Sequence, residues 1–344
     1  MPVPPPLSAP LPLPVPLPAD FPGVSTRVSF PGGSVEGRST VLAAVPIPGG
    51  GTEGAGGWAV VTAETPFHPL DHSWPDQPAD TGTLGGVPVR DCVTGAVALA
   101  GGVADAAGAA AGPTDGSAAL PTDGPTDGLP PTDTPPLLLL GADIPVRRGE
   151  EGWAWLVVHV TDQPVAVGTE VELRVDADRR TALSAAHTGC HLLALALNEA
   201  LAPRWRKDPG RTDALGHPDF DSLAMDSSRM DVHASTDVYR IGKSLRKKGF
   251  TSDDLAADLP ALTAAVNERL AAWVAADAPV RVEAPGPELT ARRRWACDLP
   301  EGQASIACGG THLHHLGQLA ELRTELRLSD DGTELTATTT PKPR

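Results

Sequence analysis

Two pairs of residues with metal-ligand chemistry, each spaced four positions apart, stand out in this chain of 344 residues. The first pair is His187 and His191, and the second is Cys308 and His312, which flank a Gly-Gly-Thr segment. Residues i and i+4 lie on one face of a helix, so both imidazoles of the first pair can point at one ion. Imidazoles together with a thiolate form a ligand set typical of zinc. The sequence therefore predicts one Zn2+ per chain, bound by these four residues.

The number of candidate ligands bears on what the metal could do. Four protein ligands close the coordination sphere, as in structural zinc sites, whereas catalytic zinc usually has three protein ligands and a water. We therefore expect His187, His191 and either Cys308 or His312 to form the core of the site, with one ligand exchangeable. All four residues are then candidates for catalysis as well as for metal binding.

The two metal motifs occur together with other segments that extend over most of the chain. Ser228-Arg-Met-Asp231 lies between them, and Thr65-Pro-Phe67-His68-Pro69 precedes Gln77-Pro-Ala-Asp80-Thr-Gly82 in the first half. This combination resembles the alanyl-tRNA editing proteins, free-standing relatives of the editing domains of alanyl- and threonyl-tRNA synthetases. In that family the position of His68 is a tyrosine.

The resemblance implies both a fold and a reaction. The fold would be α+β, with a small N-terminal β-barrel domain and a C-terminal editing domain of antiparallel sheet and helices. The reaction would be metal-dependent hydrolysis of the ester that joins a wrong amino acid to the 3′ end of a tRNA. Because this ester is labile, the site mainly has to position water and select the acyl group. The usual substrates of the family are serine or glycine attached to tRNA(Ala).

The family's glycine-rich tract after Pro69 is replaced here by the bulkier segment Leu70–Asp76. In the family this tract faces the editing pocket, so the replacement makes another hydroxy-amino acid plausible, such as threonine or a threonine analogue on tRNA(Thr). The resemblance makes Thr65 a candidate partner for a hydroxyl of the acyl group, the alternative being a strand threonine satisfied by the backbone. The other candidate pocket residues are Gln77, Asp80 and His72, the last of which an exposed loop would explain equally well.

The formal net charge of −16 argues against binding of nucleic acid or acidic membranes by the whole surface, and we expect no DNA or membrane partner. The segment 201–250 differs, because it carries ten basic and seven acidic residues. A local basic face can contact tRNA phosphates while the rest of the surface repels them, the alternative being a solvated face. The candidate tRNA contacts are Arg240, Lys243, Arg246, Lys247 and Lys248.

The elements that must position these residues divide the chain into three parts. Residues 1–20 contain nine prolines and predict an extended tail, either without function or docked on the chain's own surface or on a partner. Residues 21–178 show short strands separated by Gly/Pro clusters, as in a small β-barrel. Within them, 99–136 repeats Pro-Thr-Asp and predicts a disordered insertion, since it offers little apolar surface to bury. Residues 179–344, with helices predicted at 182–202 and from Thr251, form the expected metal-binding editing domain.

Other features favour a soluble, reduced, cytoplasmic protein. The sequence has no 18-residue apolar run, no basic segment followed by an apolar one at its start, and four cysteines, too few for a disulfide framework. Two other functions are compatible with the same residues. One is a zinc hydrolase of small amino-acid esters or amides, which would act without tRNA. The other is a tRNA-binding protein in which zinc only holds the fold.

Overall fold

The computed structural model describes residues 14–47, 57–99 and 135–344, which form an α+β structure with more strand than helix. None of the helices in these ranges is long and apolar enough to cross a membrane. The strands of the first part are β1 (Val15–Pro16), β2 (Arg27–Val28), β3 (Glu36–Ile47), β4 (Gly57–Thr62), β5 (Glu64–Thr65), β6 (Gly82–Leu84), β7 (Val87–Ala98), β8 (Leu137–Leu140), β9 (Trp153–Thr161) and β10 (Glu170–Val175).

Eight of these strands form one sheet in the order β1-β8-β7-β6-β10-β3-β4-β9, and β7 also pairs with β9. Six strands therefore pair in a closed cycle, to which β8 and β1 are added at β7. Strand β9 is buried on both faces. Trp155 and Val157 belong to an apolar cluster with Phe67, whereas Leu156 and Val158 belong to a second cluster. The remaining strands, β2 and β5, pair in parallel.

The described end of the proline-rich segment packs on this sheet. Strand β1 pairs with β8, and the N–H of Leu17 donates to the carbonyl of Pro136 at 2.8 Å. The side chains of Val15 and Leu17 are buried in the same cluster as Leu156. The described residues of this segment thus contribute the two-residue strand β1, which docks on the chain's own sheet. Residues 1–13 lie outside the described ranges, and so does most of the expected insertion, namely residues 100–134.

The second part contains four helices and two antiparallel sheets among its described residues. Its elements are α1 (Ala177–Leu201), α2 (Phe220–Ala224), β11 (Met225–Met230), β12 (Ser235–Arg240), α3 (Lys243–Lys247), α4 (Leu255–Ala276), β13 (Val280–Glu283), β14 (Arg294–Leu299), β15 (Gly302–Ala307), β16 (Leu319–Leu328) and β17 (Glu334–Pro343). The strand orders are β11-β12-β17-β16 and β13-β14-β15. Helices α1 and α4 pack with both sheets around one apolar cluster that includes Trp273, Trp295 and Leu322.

Helix α1 begins five residues before the predicted start at 182. The side chain of Asp176 caps it by accepting a hydrogen bond from the N–H of Arg179 at 3.0 Å. A helix that started at Ala182 would place His187 in its first turns. In the structure His187 instead lies near the middle of α1. Most residues of α1 are buried, because the helix packs against β17, β12 and α4 and its Arg180 bonds to the first part of the chain.

A buried ion pair joins α1 to the first part of the chain. Arg180 pairs with Asp80, and both side chains are at least 95% buried. Arg180 also donates to the carbonyl of Pro66 at 2.7 Å, and Asp80 accepts from the N–H of His68 at 2.6 Å. These bonds fix the segment 66–68 against the helix that carries the histidine pair.

Candidate metal centre and adjoining cavity

The four predicted metal ligands come together at one point. One ligand atom from each of His187, His191, Cys308 and His312 lies within 4.8 Å of the other three. Cys308 Sγ lies 3.4 Å from His187 Nε2 and 3.3 Å from His312 Nε2. The histidine pair lies one turn apart on α1, while Cys308 directly follows β15 and His312 lies in the loop before β16. The fold thus brings a helix and a loop together around a space suited to one ion.

Hydrogen bonds outside the cluster set the orientation of two of the rings. Gln77 Oε1 lies 2.8 Å from His187 Nδ1 and also accepts from the N–H of Thr311 at 3.1 Å. Since Gln77 Oε1 can only accept, His187 Nδ1 carries the proton and Nε2 keeps its lone pair toward the cluster. On the other side, Thr188 Oγ1 lies 3.3 Å from His312 Nδ1. Both rings therefore present Nε2 to Cys308.

The protonation states favoured by burial fit a bound Zn2+. Burial lowers the pKa of His187 and of His312 well below the ordinary value, and that of His191 to about 3, so all three rings are neutral and hold a lone pair. His191 Nε2 is sealed from solvent and has no hydrogen-bond partner among the described residues. Burial raises the pKa of the Cys308 thiol to about 12, and a coordinated cation would deprotonate it. The set of donor atoms is one that zinc prefers.

One glycine of the second motif is required by close contact. A Cβ atom at Gly310 would lie 2.5 Å from His187 Nδ1 and from Gln77 Oε1, closer than side chains tolerate. At Gly309 no atom lies within 4 Å of such a Cβ. The loop can therefore approach the histidine only because residue 310 has no side chain, whereas Gly309 has no such constraint.

A cavity of about 650 Å3 adjoins the cluster. His187, His191 and Cys308 contribute to its wall, together with α2 and β11 on one side and the segment 68–76 on the other. The replaced tract of the sequence thus faces the metal ligands. Its Trp74 is 47% exposed and lines the cavity.

Two residues of this wall were not among the predicted site residues. Asp76 Oδ2 lies 3.7 Å from His187 Nε2, and burial raises the pKa of this carboxyl to about 6. His68 is buried, and burial lowers its pKa to about 4. The sequence offered one signal for them. His68 and Asp76 stand directly beside the motif residues Pro69 and Gln77, and the side chains of histidine and aspartic acid can both transfer protons.

The predicted pocket residues occupy different places. Gln77 contacts the metal ligands as described, and the buried Asp80 pairs with Arg180 away from the cavity wall. The hydroxyl of Thr65 lies 2.9 Å from His159 Nε2 and accepts from the N–H of Phe67 at 3.1 Å. Its hydrogen-bonding capacity is thus used within the first part of the chain, and Thr65 does not line the cavity. His72 is half-buried and does not line it either.

The predicted tRNA contacts lie on the surface beyond β12. Lys243, Arg246 and Lys247 are exposed on α3, Lys248 follows it, and none of the four forms an ion pair with a described residue. Arg240 at the end of β12 pairs with Asp226 at 2.6 Å. Its neighbour Tyr239 pairs across the sheet with Met225, which lines the cavity. The strand that precedes the basic helix thus pairs with a strand of the cavity wall.

Comparison with known proteins gives a partial match. No family model matches the chain. Over 58 residues the chain is 48% identical to the alanyl-tRNA editing protein AlaX-M of Pyrococcus horikoshii. The matched stretch covers 16% of this chain and 26% of that relative, so the chain spans about a quarter of the relative's length. These findings support a relationship of this chain to the alanyl-tRNA editing proteins.

Proposed function

We propose that this protein is a trans-editing aminoacyl-tRNA deacylase that maintains translation fidelity. It would hydrolyse the ester bond of a mischarged hydroxy-amino acid with the help of one Zn2+. The observation that carries the proposal is the His-His-Cys-His cluster, three of whose members line a cavity that the replaced tract also lines. The partial identity to an alanyl-tRNA editing protein supports the same reaction class.

The proposed partner is the acceptor 3′ end of an aminoacyl-tRNA in the cytoplasm. The candidate substrates are serine or glycine on tRNA(Ala), and threonine or a threonine analogue on tRNA(Thr). The cavity volume of about 650 Å3 is sufficient for an aminoacyl group with part of the terminal ribose. In the proposed fold, the closed cycle of six strands corresponds to the small β-barrel that the resemblance implies.

The chain's own residues have distinct roles in this proposal. His187, His191, Cys308 and His312 would hold the ion, which supplies a Lewis acid for the acyl group or a bound water. Gln77 keeps the proton of His187 on Nδ1, so that Nε2 remains a ligand. Asp76 lies close enough to the cluster to accept a proton from a water positioned there. The exposed residues Arg240, Lys243, Arg246, Lys247 and Lys248 would contact tRNA phosphates.

The decisive experiment is a deacylation panel with purified protein, using correctly and wrongly charged tRNA(Ala) and tRNA(Thr). We expect at least one mischarged tRNA to lose its amino acid, and His187→Ala to abolish this activity. The same panel contains amino-acid ethyl esters without tRNA. Hydrolysis of these esters at a similar rate would instead support a zinc hydrolase of small esters. Inactivity on every substrate, together with tRNA binding, would support a non-catalytic role.

The basic helix is tested separately. Reversing Lys243, Arg246, Lys247 and Lys248 to glutamate should weaken deacylation and reduce its dependence on salt, because fewer counterions are released on binding. Reversal of four other exposed basic residues, Arg323 and Arg327 on β16 and Lys342 and Arg344 at the end of the chain, is the matched control. Equal kinetics for the two variants would exclude the basic helix from tRNA binding.

A further inference from the structure

His68 is a buried histidine in the cavity wall that makes no side-chain hydrogen bond to another described residue. It is 6% exposed and lines the cavity together with His187 and Cys308. Its Nδ1 is sealed from solvent without a partner, whereas Nε2 is not sealed. A buried polar side chain without partners in a cavity wall calls for an explanation, because such groups are usually satisfied within the protein.

The position of this ring is fixed by its surroundings. The N–H of His68 donates to Asp80 Oδ2 at 2.6 Å, and Asp80 is held by the buried ion pair with Arg180. The ring packs edge-on against Phe30, with centroids 5.0 Å apart and an interplanar angle of 88°. The Arg293 guanidinium also contacts Phe30, at 5.4 Å from the centroid of the phenyl ring. The imidazole thus has little freedom to turn toward another partner.

The location of the single ring proton follows from the two nitrogens' environments. A proton on Nδ1 would form an N–H group sealed without an acceptor, an arrangement that folded proteins rarely contain. A proton on Nε2 places the N–H where the cavity can supply an acceptor. Burial lowers the pKa of His68 to about 4 although the nearby Asp80 carboxylate acts to raise it, so the ring is neutral near pH 7. His68 therefore presents a neutral N–H donor to the cavity.

We propose that His68 Nε2–H donates a hydrogen bond to the carbonyl oxygen of the bound acyl ester. This inference rests on the proposed deacylase function and adds a catalytic residue to it. The substrate group that meets this N–H must be an acceptor such as an oxygen, because the substrate's ammonium group is itself a donor. The carbonyl is favoured because His68 lines the same cavity as the metal ligands His187, His191 and Cys308, and the ester must lie beside these ligands to react.

A fixed neutral donor at this point would act on the reaction itself. When water adds to the ester carbon, the carbonyl oxygen takes up the electron pair of the double bond. It returns this pair as the bond to the ribose oxygen breaks, and the proton released by the water ends on that ribose oxygen. A hydrogen bond that is strongest to the charged oxygen stabilises the transition state more than the bound substrate. The residue should thus affect kcat more than KM.

The test compares His68→Phe, which keeps a planar ring without a donor, with His68→Gln, which restores an N–H donor. Deacylation is measured on the tRNA that the wild type hydrolyses best, with zinc content and circular dichroism as folding checks. We expect His68→Phe to lower kcat by about 10²–10³-fold with little change in KM or zinc content. His68→Gln should recover part of this loss. His72→Phe, in the same segment but off the cavity wall, is the control and should match the wild type.

Three results would overturn the inference. One is an unchanged kcat in His68→Phe. The second is a loss confined to acyl groups with a side-chain hydroxyl, seen for serine but not for glycine, which would assign His68 to that hydroxyl. The third is an equal loss in His68→Gln and His68→Phe with reduced zinc content, which would assign it to metal-site structure. A wild type inactive on every tRNA would instead refute the proposed function, so the two failures are distinguishable.

Discussion

Gln77 is the residue through which the first part of the chain most directly controls the metal centre. Its Oε1 accepts hydrogen bonds from His187 Nδ1 at 2.8 Å and from the N–H of Thr311 at 3.1 Å. The side chain is 1% exposed, so water cannot replace either bond. Gln77→Leu keeps the approximate volume but removes both acceptor bonds. His187 could then carry its proton on either nitrogen, and protonation at Nε2 would block its use as a ligand.

The structure sets the size of the effect. Each buried donor left without an acceptor costs about 1–3 kcal/mol, so the apo protein should lose about 2–6 kcal/mol of unfolding free energy. Removing the partner of a ligating histidine typically lowers metal affinity about 10–100-fold. Gln77→Glu is the matched control, because its carboxylate can still accept both hydrogen bonds. We expect Gln77→Glu to retain most of the zinc affinity that Gln77→Leu loses.

Zinc affinity is measured by competition with a chromophoric chelator at pH 7, and stability by urea unfolding of the metal-free protein. The expected order of affinity is wild type, then Gln77→Glu, then Gln77→Leu. Equal zinc affinity of wild type and Gln77→Leu would refute the idea that Gln77 orients His187. A loss of stability without a loss of affinity would show that Gln77 only satisfies Thr311.

Three further outcomes are expected. Gly310→Ala should lower zinc affinity by about tenfold or more, because its Cβ would collide with His187, while Gly309→Ala should leave the affinity within about twofold. Equal zinc affinities of these two variants in the chelator assay would show that the close approach at residue 310 does not matter. Asp80→Ala should cost about 3–5 kcal/mol in urea unfolding, because Arg180 would remain buried without its partner; a cost near zero would contradict this. Burial raises the pKa of Asp221 to about 7, so its contribution to stability should be lost as pH rises from about 4 to 7. The unfolding free energy of Asp221→Asn, measured in urea, should therefore rise relative to that of the wild type between about pH 4 and 7. A difference between the two proteins that does not change with pH would argue against the raised pKa.

Each half of the metal cluster could be predicted because the i, i+4 spacing and the ligand chemistry of each motif are local information. Cys308 and His187 lie 121 positions apart, and their meeting was expected because the two motifs together form one zinc ligand set and resemble those of a known family. The role of Gln77 could not be predicted in the same way, because it depends on a contact with a residue 110 positions away in the chain. His68 and Asp76 belong to the cavity for the same reason, since only the packing of 66–68 on α1 places that segment beside the ligands.

Two differences in the strands have local physical causes. Residues 24–30 fall in the region where short strands were expected, but only Arg27–Val28 forms one, because Pro31 and Gly32 turn the chain into a short 3-10 helix that begins at Phe30. Strand β12 was not predicted, because two of its inward positions are the polar Ser235 and Asp237, both fully buried. A hydrophobicity pattern interprets such residues as exposed and therefore misses the alternation.

The pairing of β7 with β8 has a consequence for how this protein can change in length. Val97 lies opposite Leu138, so the chain leaves and re-enters the sheet at neighbouring points. Closing a loop costs only about 0.6 kcal/mol more for each doubling of its length. Strand β1 pairs with β8 on the side away from β7 and covers that edge. We therefore expect the β7–β8 connection to tolerate insertion or removal of sequence without a change in the described strand pairings.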